Sequence, residues 1–142
     1  MAAAKMSVAE LEDFLRVEFP QAFGDGEIRI ESADGETCVL RQRYHERMLR
    51  PGGTVSGPTL MALADCAMYV VLLSAIGPVG LAVTTNLTIN FLRKGQAGED
   101  VVAAARILKL GKRLAVGEVM LLSGSSPDPV AHVTATYSIP NQ

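Results

Sequence analysis

Residues 50–77, with the sequence RPGGTVSGPTLMALADCAMYVVLLSAIG, predict the central element of the fold. Residues 58–76 of this stretch contain a single charged residue, Asp65, in a run that is otherwise almost wholly apolar. Pro58 suits the first turn of a helix, where its missing N–H does no harm. The pattern predicts a helix over residues 56–77 that is apolar on all faces, and such a helix must be surrounded by the rest of the fold. A single carboxylate in such a helix either lowers the stability of the fold or has a catalytic role.

This apolar run nearly reaches the length of a membrane span. An aspartate near the middle of a span costs about 2.5–3.5 kcal/mol on insertion scales. The segments on both sides have the alternating pattern of ordinary strands rather than that of membrane-flanking loops. We therefore expect the run to be the core helix of a globular domain.

Length, charge and cysteine content limit the class of protein. The chain has 142 residues and a formal net charge of −2, which fits one domain over residues 1–142 and gives no broad basic face for nucleic acid. Cys38 and Cys66 are too few and too far apart for a metal cluster or a disulfide framework. Residues 1–20 form an amphipathic helix rather than a signal peptide, so a cytoplasmic location is expected.

Strand signals surround the central helix. In the N-terminal helix, Ser7 and Glu10 form a capping box, and Pro20 ends the run. Alternating or bounded apolar runs predict strands, joined by turn clusters such as SGSSPDP, at residues 27–33, 36–46, 81–93, 100–110, 113–123 and 129–139. The segment between the second strand and the helix reads as a loop. An antiparallel sheet of about six strands wrapped around the long hydrophobic helix is the economical α+β arrangement.

The strand over residues 81–93 alternates most clearly. Its period places one set of apolar side chains on one face, namely Leu81, Val83, Leu87, Ile89 and Phe91. The opposite face would then carry Thr84, Asn86, Thr88 and Asn90.

The order of these elements and two sequence runs resemble a known family. The runs are GGTVSGPTLMALAD and NLTINFLRKGQAGEDVVAAARILKLGKRLAVGEVML, and the resemblance covers about residues 36–138. They resemble the hotdog-fold thioesterases, most closely the PaaI-like acyl-CoA thioesterases. The resemblance implies hydrolysis of an acyl-CoA thioester without a cofactor or metal. It also implies a homodimer with composite active sites, and a homotetramer is expected as a further step.

Thioester hydrolysis needs an attacking group and a donor for the developing oxyanion. The helix start offers unpaired N–H groups, and Gly57 allows a carbonyl to approach its own N–H, as the family pattern also implies. Asp65 can act as general base or as nucleophile. It lies seven residues beyond Pro58, roughly 10 Å along the helix axis. That separation is too great for Asp65 and Gly57 of one chain to serve one carbonyl. In similar enzymes two antiparallel helices bring Asp of one subunit beside Gly of the other. A buried structural aspartate is the alternative.

Three positions depart from the family pattern. Arg50, Ser56 and Pro58 stand where the family usually has Asn, His and Gly. Ser56 retains a hydrogen-bonding group, and Arg50 either replaces the role of the Asn or removes it. Thr84 matches a position that often carries a water-holding hydroxyl, and its alternative reading is an ordinary strand residue.

These departures motivate two other hypotheses. Ser56 as a nucleophile with His45 or His132 and Asp65 is disfavoured, because GTVSGP lacks the nucleophile-elbow motif and both histidines are in predicted strands. Cys66 is expected to pack as a small apolar side chain. The remaining alternative is an acyl-CoA-binding hotdog protein without catalysis.

Clustered cations follow two of the predicted strands. Arg93 ends one strand, while Lys112 and Arg113 occupy the next hairpin turn. Coenzyme A carries several phosphate charges that such side chains can bind, and similar proteins use these two places for the nucleotide. Ordinary solvated turn charges are the alternative.

Overall fold

A six-stranded antiparallel sheet surrounds one helix in the computed structural model, which describes residues 3–141. The helices are α1 (Val8–Glu18), α2 (Pro20–Phe23) and α3 (Gly57–Ile76). The strands are β1 (Ile28–Ala33), β2 (Thr37–Gln42), β3 (Leu49–Arg50), β4 (Thr54–Val55), β5 (Val83–Phe91), β6 (Val101–Leu110), β7 (Leu114–Ser123) and β8 (Pro129–Ser138). The main sheet has the order β1-β2-β6-β7-β8-β5, so β1 and β5 are its edges. The predicted α+β architecture is confirmed.

Helix α3 is the centre of the core. By length and composition it could cross a membrane, with a mean hydropathy of 2.0, but 72% of that stretch is buried inside the fold. It packs against β2, β6, β7, β5 and β8. The approach to β7 is close: a Cβ at Gly117 would lie 2.5 Å from Met68 Sδ, so only glycine fits there. The apolar stretch is therefore explained by burial within the sheet.

The N-terminal region differs in part from the predicted single helix. Ser7 and Glu10 form the expected capping box, and α1 begins at Val8. The helix ends at Glu18, and Pro20 begins the short α2 instead of ending the helical region, because a proline is tolerated at the first helical position. Residues 1 and 2 of the predicted N-terminal helix, and residue 142 of the predicted domain, lie outside the described residues.

The segment before α3 is also more ordered than a loop. The second strand ends at Gln42, earlier than predicted, and a 3₁₀ turn follows over Glu46–Met48. His45 caps that turn by accepting a hydrogen bond from the Arg47 N–H, so it is not in a strand as predicted. β3 and β4 then form a two-residue antiparallel pair across the turn at residues 51–53. Short pairings of this kind have no periodic sequence signal.

Strand β5 contains a β-bulge that the sequence period does not reveal. The register with β8 shifts between Thr84 and Asn86. A bulge adds one residue, so the side chains before it exchange faces relative to simple alternation. Leu81 and Val83 are accordingly 80% and 57% exposed, and Thr84 points at α3, which corrects the predicted face assignment for this end of the strand.

Candidate active site

Asp65 sits on α3 at the point where β5 and β8 cross the helix. The Thr84 hydroxyl donates to Asp65 Oδ1 at 2.6 Å, and the Tyr137 hydroxyl donates to the same oxygen at 2.8 Å. The Tyr137 oxygen also lies 3.1 Å from the Asp65 backbone carbonyl. Thr84 and Tyr137 are register partners on neighbouring strands, so their hydroxyls reach the helix side by side.

The second oxygen of Asp65 is free within the described chain. Across residues 3–141 no group donates to Oδ2. Every buried side-chain nitrogen or oxygen in those residues has a hydrogen-bond partner, so an unpartnered Oδ2 must be accessible. One oxygen is thus held by two hydroxyls while the other is open to a water or a ligand.

Two adjoining clefts reach Asp65. One, of 290 Å³, is lined by Phe19, Ala22 and Ala62 among others. The other, of 270 Å³, extends towards Thr84 and Ala82. The short α2 and the end of α1 therefore form one wall beside the carboxylate.

Burial controls the ionisation of the aromatic hydroxyls nearby. Removal from water raises the pKa of Tyr137 well above its usual range, and the adjacent Asp65 charge raises it further. Burial also raises the pKa of Tyr69, whose ring stacks on Tyr137 at 6.1 Å and whose hydroxyl donates to the Gly80 carbonyl. Both phenols therefore remain protonated donors at neutral pH.

The start of α3 presents one free backbone donor. The Ser56 N–H donates to the Met48 carbonyl, Pro58 has no N–H, and the Thr59 and Leu60 N–H groups donate to Ser56 oxygens. Among the described residues the Gly57 N–H has no acceptor. It also lies at the positive end of the helix dipole. This amide is therefore the free donor that the proposed oxyanion role requires.

The Ser56 side chain has a structural role at the start of α3. Its hydroxyl caps α3 by accepting from the Thr59 N–H at 3.3 Å and is 2.8 Å from the Thr59 hydroxyl. His132 contacts Glu118, and His45 caps the 3₁₀ turn. Ser56, a histidine and Asp65 are therefore not hydrogen-bonded to one another within residues 3–141, and the alternative triad lacks its geometry.

Within one chain the predicted site residues separate into two groups. A Cβ at Gly57 would lie 3.1 Å from the Phe91 ring, so the helix start is at the end of β5 that leads to Arg93. Asp65 contacts Thr84 at the other end of β5, about 20 Å away along the strand. The turn with Lys112 and Arg113 is also at this second end, because β7 begins beside Ser138.

Arg93 therefore does not meet the other two predicted cations within one chain. It lines a 570 Å³ cleft at the far end of the sheet and donates to the Pro129 carbonyl. Arg50 is exposed in β3. In the described part of the chain, no cluster of three or more His, Cys, Asp or Glu side chains could hold a metal ion.

Tyr137 is the site residue that the sequence reasoning missed. It is 72 positions from Asp65 in the chain. A weak signal existed, since Val133, Ala135 and Tyr137 alternate on the buried face of β8, and a tyrosine on such a face usually finds a hydrogen-bond partner.

A long apolar helix inside a six-stranded antiparallel sheet is the hotdog fold, and in this chain a single carboxylate on that helix faces a cleft. The family model of the thioesterase superfamily matches residues 52–129 of this chain, so the chain belongs to that superfamily. Its PaaI-like character agrees with the resemblance to the PaaI protein of the E. coli phenylacetic acid degradation operon, which is 25% identical with a TM-score of 0.75, over 92% of this chain and 95% of that one.

Two further relatives are similar over most of their length. A candidate thioesterase from Silicibacter sp. TM1040 has a crystal structure with a TM-score of 0.89 and 43% identity, over 97% of this chain and 94% of that chain. Human acyl-coenzyme A thioesterase 13 is 28% identical over 117 residues, which are 82% of each chain.

Proposed function

We propose that this protein is an acyl-CoA thioesterase that hydrolyses an acyl- or aryl-acyl-CoA to the free acid and CoA. Membership in the thioesterase superfamily and the similarity to an acyl-CoA thioesterase support this activity. The observation that carries the proposal is the Asp65 carboxylate, which has one oxygen held by two hydroxyls and the other open. A purely structural aspartate would be expected to have both oxygens partnered.

The proposed reaction uses Asp65 Oδ2 as general base. Oδ2 takes a proton from water while the water oxygen bonds to the thioester carbonyl carbon. The tetrahedral oxyanion accepts a hydrogen bond from a Gly57 N–H. The C–S bond then breaks, and the CoA thiolate leaves and takes up a proton.

Asp65 as nucleophile is the second route. Its oxygen would attack the carbonyl carbon and form a mixed anhydride, which water then hydrolyses. Label in Asp65 after a single turnover in ¹⁸O-water identifies the anhydride route with attack of water at the aspartyl carbon, because direct attack of water on the thioester puts the label in the acid product alone. Ser56 and Thr84 support either route, one by ordering the helix start and the other by holding Oδ1.

The functional unit is a homodimer with two composite sites. Gly57 and Asp65 of one chain are eight residues apart on α3, about 12 Å of helix rise. β5 is an open edge of the sheet, and pairing two β5 edges antiparallel would bring one end of this strand beside the opposite end of its copy. Gly57 and Arg93 of one protomer would then approach Asp65, Lys112 and Arg113 of the other.

In the proposed dimer, the cationic side chains from the two protomers could bind one CoA molecule. Arg93, Lys112 and Arg113 would together bind the phosphates of CoA at the subunit boundary. Two such dimers would associate into a homotetramer. A reducing cytoplasmic location fits the two free cysteines.

A second candidate function is acyl-CoA binding without hydrolysis. The observation in its favour is that Ser56, at the position where the family has His, uses its hydroxyl to cap α3. Such a protein would bind acyl-CoA with the same affinity in the presence or absence of the Asp65 carboxylate.

The test is release of free CoA thiol from a panel of acetyl-, hexanoyl-, palmitoyl- and benzoyl-CoA. With the best substrate, Asp65→Asn should lower kcat by at least about 10²-fold, the scale of a general-base contribution, and leave binding largely intact. Asp13→Asn, an exposed carboxylate on α1, is the matched control and should retain wild-type turnover.

Two outcomes would contradict the proposal. If wild-type protein binds the panel but hydrolyses none of it, the binding function is correct. If Asp65→Asn keeps turnover within tenfold of wild type, the chemistry lies elsewhere.

A further inference from the structure

We infer that Tyr137 is a positioning residue that, together with Thr84, reserves Asp65 Oδ1 for structure and leaves Oδ2 as the reacting oxygen. The inference concerns a residue outside the sequence motif and rests on the proposed function for its catalytic meaning. Its geometric basis is the pair of hydroxyl contacts to Oδ1, at 2.8 Å from Tyr137 and 2.6 Å from Thr84.

The fold places both hydroxyls on one oxygen by means of the bulge in β5. Thr84 is paired with Tyr137, and the register shift follows immediately. Without the extra residue, the apolar alternation of Leu87 and Ile89 would point Thr84 away from α3. The bulge thus lets one strand bury its apolar half and still direct a hydroxyl at the carboxylate.

Tyr137 also ties the carboxylate to the helix backbone. Its hydroxyl oxygen is within hydrogen-bonding distance of Oδ1 and of the Asp65 carbonyl, two acceptors of the same residue. The phenol ring is buried and stacks on Tyr69, which leaves the hydroxyl little freedom to turn away. A donor fixed in this way restricts rotation of the carboxylate about its last side-chain bond.

The chemical consequence is a division between the two oxygens. Two hydroxyl donors occupy Oδ1, so Oδ2 is the oxygen left to accept a proton from water. A water at Oδ2 then meets an acceptor in a fixed direction, and catalysis depends steeply on such alignment. The phenol stays protonated throughout, since burial raises its pKa, and it takes no part in proton transfer.

The other titratable groups near Asp65 are few. Cys66 and Tyr69 come from α3, Glu18 comes from α1, and β5 contributes only the neutral Thr84. The Cys66 thiol and the Tyr69 phenol have raised pKa values because they are buried, so they stay neutral near pH 7. Glu18 is exposed on α1, and its charge is the same in every variant below.

The test compares Tyr137→Phe with Tyr69→Phe in the full-length protein. Each variant removes one phenol hydroxyl from the same stacked pair, but only Tyr137 contacts Asp65. We expect Tyr137→Phe to lower kcat on the order of tenfold, the size expected for a hydrogen bond to a charged group. Its KM for hexanoyl-CoA should stay within twofold of wild type, and Tyr69→Phe should keep the wild-type kcat.

The comparison of the two variants separates positioning from a general loss of structure. Each variant loses one hydroxyl from the same stacked pair, so a general loss of structure would lower kcat and the melting temperature in both. A positioning role lowers kcat in Tyr137→Phe alone. Equal losses of kcat in both tyrosine variants, or a wild-type kcat in Tyr137→Phe, overturn the inference.

An NMR measurement on Asp65, which needs no substrate turnover, keeps the test independent of the proposed function. In protein with ¹³Cγ-labelled aspartate, the Asp65 signal is assigned by its absence in Asp65→Asn. At a fixed pH of about 8 its chemical shift should change in Tyr137→Phe, which loses a hydrogen bond to Oδ1, and stay at the wild-type value in Tyr69→Phe. An unchanged chemical shift refutes the positioning role even in an active enzyme, whereas a changed chemical shift in a protein that hydrolyses nothing refutes the thioesterase proposal alone.

Discussion

Asp65 and Cys66 are neighbours in the sequence, but their side chains have opposite environments. Asp65 is half-buried and faces a cleft, where hydroxyls donate to it. Cys66 is 7% exposed, and burial raises the pKa of its thiol to about 12. Successive residues on a helix point about 100° apart, so one can line a site while the next packs in the core. The expectation that Cys66 packs as an apolar side chain fits this burial.

The thiols should accordingly resist alkylation in the native protein. Burial raises the pKa of Cys38 to about 12 as well. With such values the thiolate fraction at pH 8 is about 10⁻⁴, and thiolate is the reactive form. We expect no labelling by iodoacetamide within an hour at pH 8, and labelling of both cysteines in 8 M urea, measured by intact mass. Rapid native labelling of one cysteine would show that its part of the core opens.

The element that bears most on substrate binding is the turn between β6 and β7. Lys112 and Arg113 are exposed there, at the end of the sheet that holds Asp65. Replacing both with Gln should raise KM for hexanoyl-CoA, because the phosphates lose their cations. Hydrolysis of hexanoyl-pantetheine, which lacks the nucleotide, should be nearly unchanged.

A charge-matched control uses cations on the N-terminal segment. Lys5→Gln with Arg16→Gln removes the same charge from an exposed surface of the chain. It should leave KM for both substrates at the wild-type value. If the Lys112 and Arg113 variant loses activity equally on both substrates, the turn does not bind the nucleotide.

The proposed site is complete only if the oxyanion donor and the base, which lie at opposite ends of β5 in one chain, are brought together by assembly. Gly57 lies near Phe91 and Asp65 near Thr84, so a single chain holds two half-sites. A symmetric dimer through the β5 edges would join them and cover an open strand edge. The oxyanion donor and the base would then come from different subunits.

Mixing two inactive variants tests this shared site. Asp65→Asn chains and Gly57→Leu chains should each be inactive as homodimers. A refolded equal mixture contains half heterodimers, each with one intact site in two, so it should regain about a quarter of wild-type activity by counting subunits. A mixture of two differently tagged Asp65→Asn chains is the control and should stay inactive. If heterodimers form and remain inactive, each chain carries a complete site.

Local sequence signals determined most of the fold. The capping residues and the terminal glycine placed α3 within one residue of its observed bounds, and alternating or bounded apolar runs between turn signals located all six strands of the main sheet. Asp65 could be singled out because an isolated charge in an apolar helix is costly. The short β3 and β4 pair and the α2 turn were not predicted, because segments of two to four residues have too little periodicity.

Helical and strand periods are local properties, so the amino-acid sequence predicts an apolar helix with one carboxylate enclosed by an antiparallel sheet. The contacts of that carboxylate, in contrast, follow from the packing of the whole fold. Thr84 and Tyr137 are 19 and 72 positions from Asp65, and they meet it through strand register and a bulge that no local pattern encodes. The same register sends Arg93 to one end of the sheet and Lys112 to the other. Strand pairing brings distant positions together through the balance of packing over the whole core, and one residue of shift reverses which side chains face the helix.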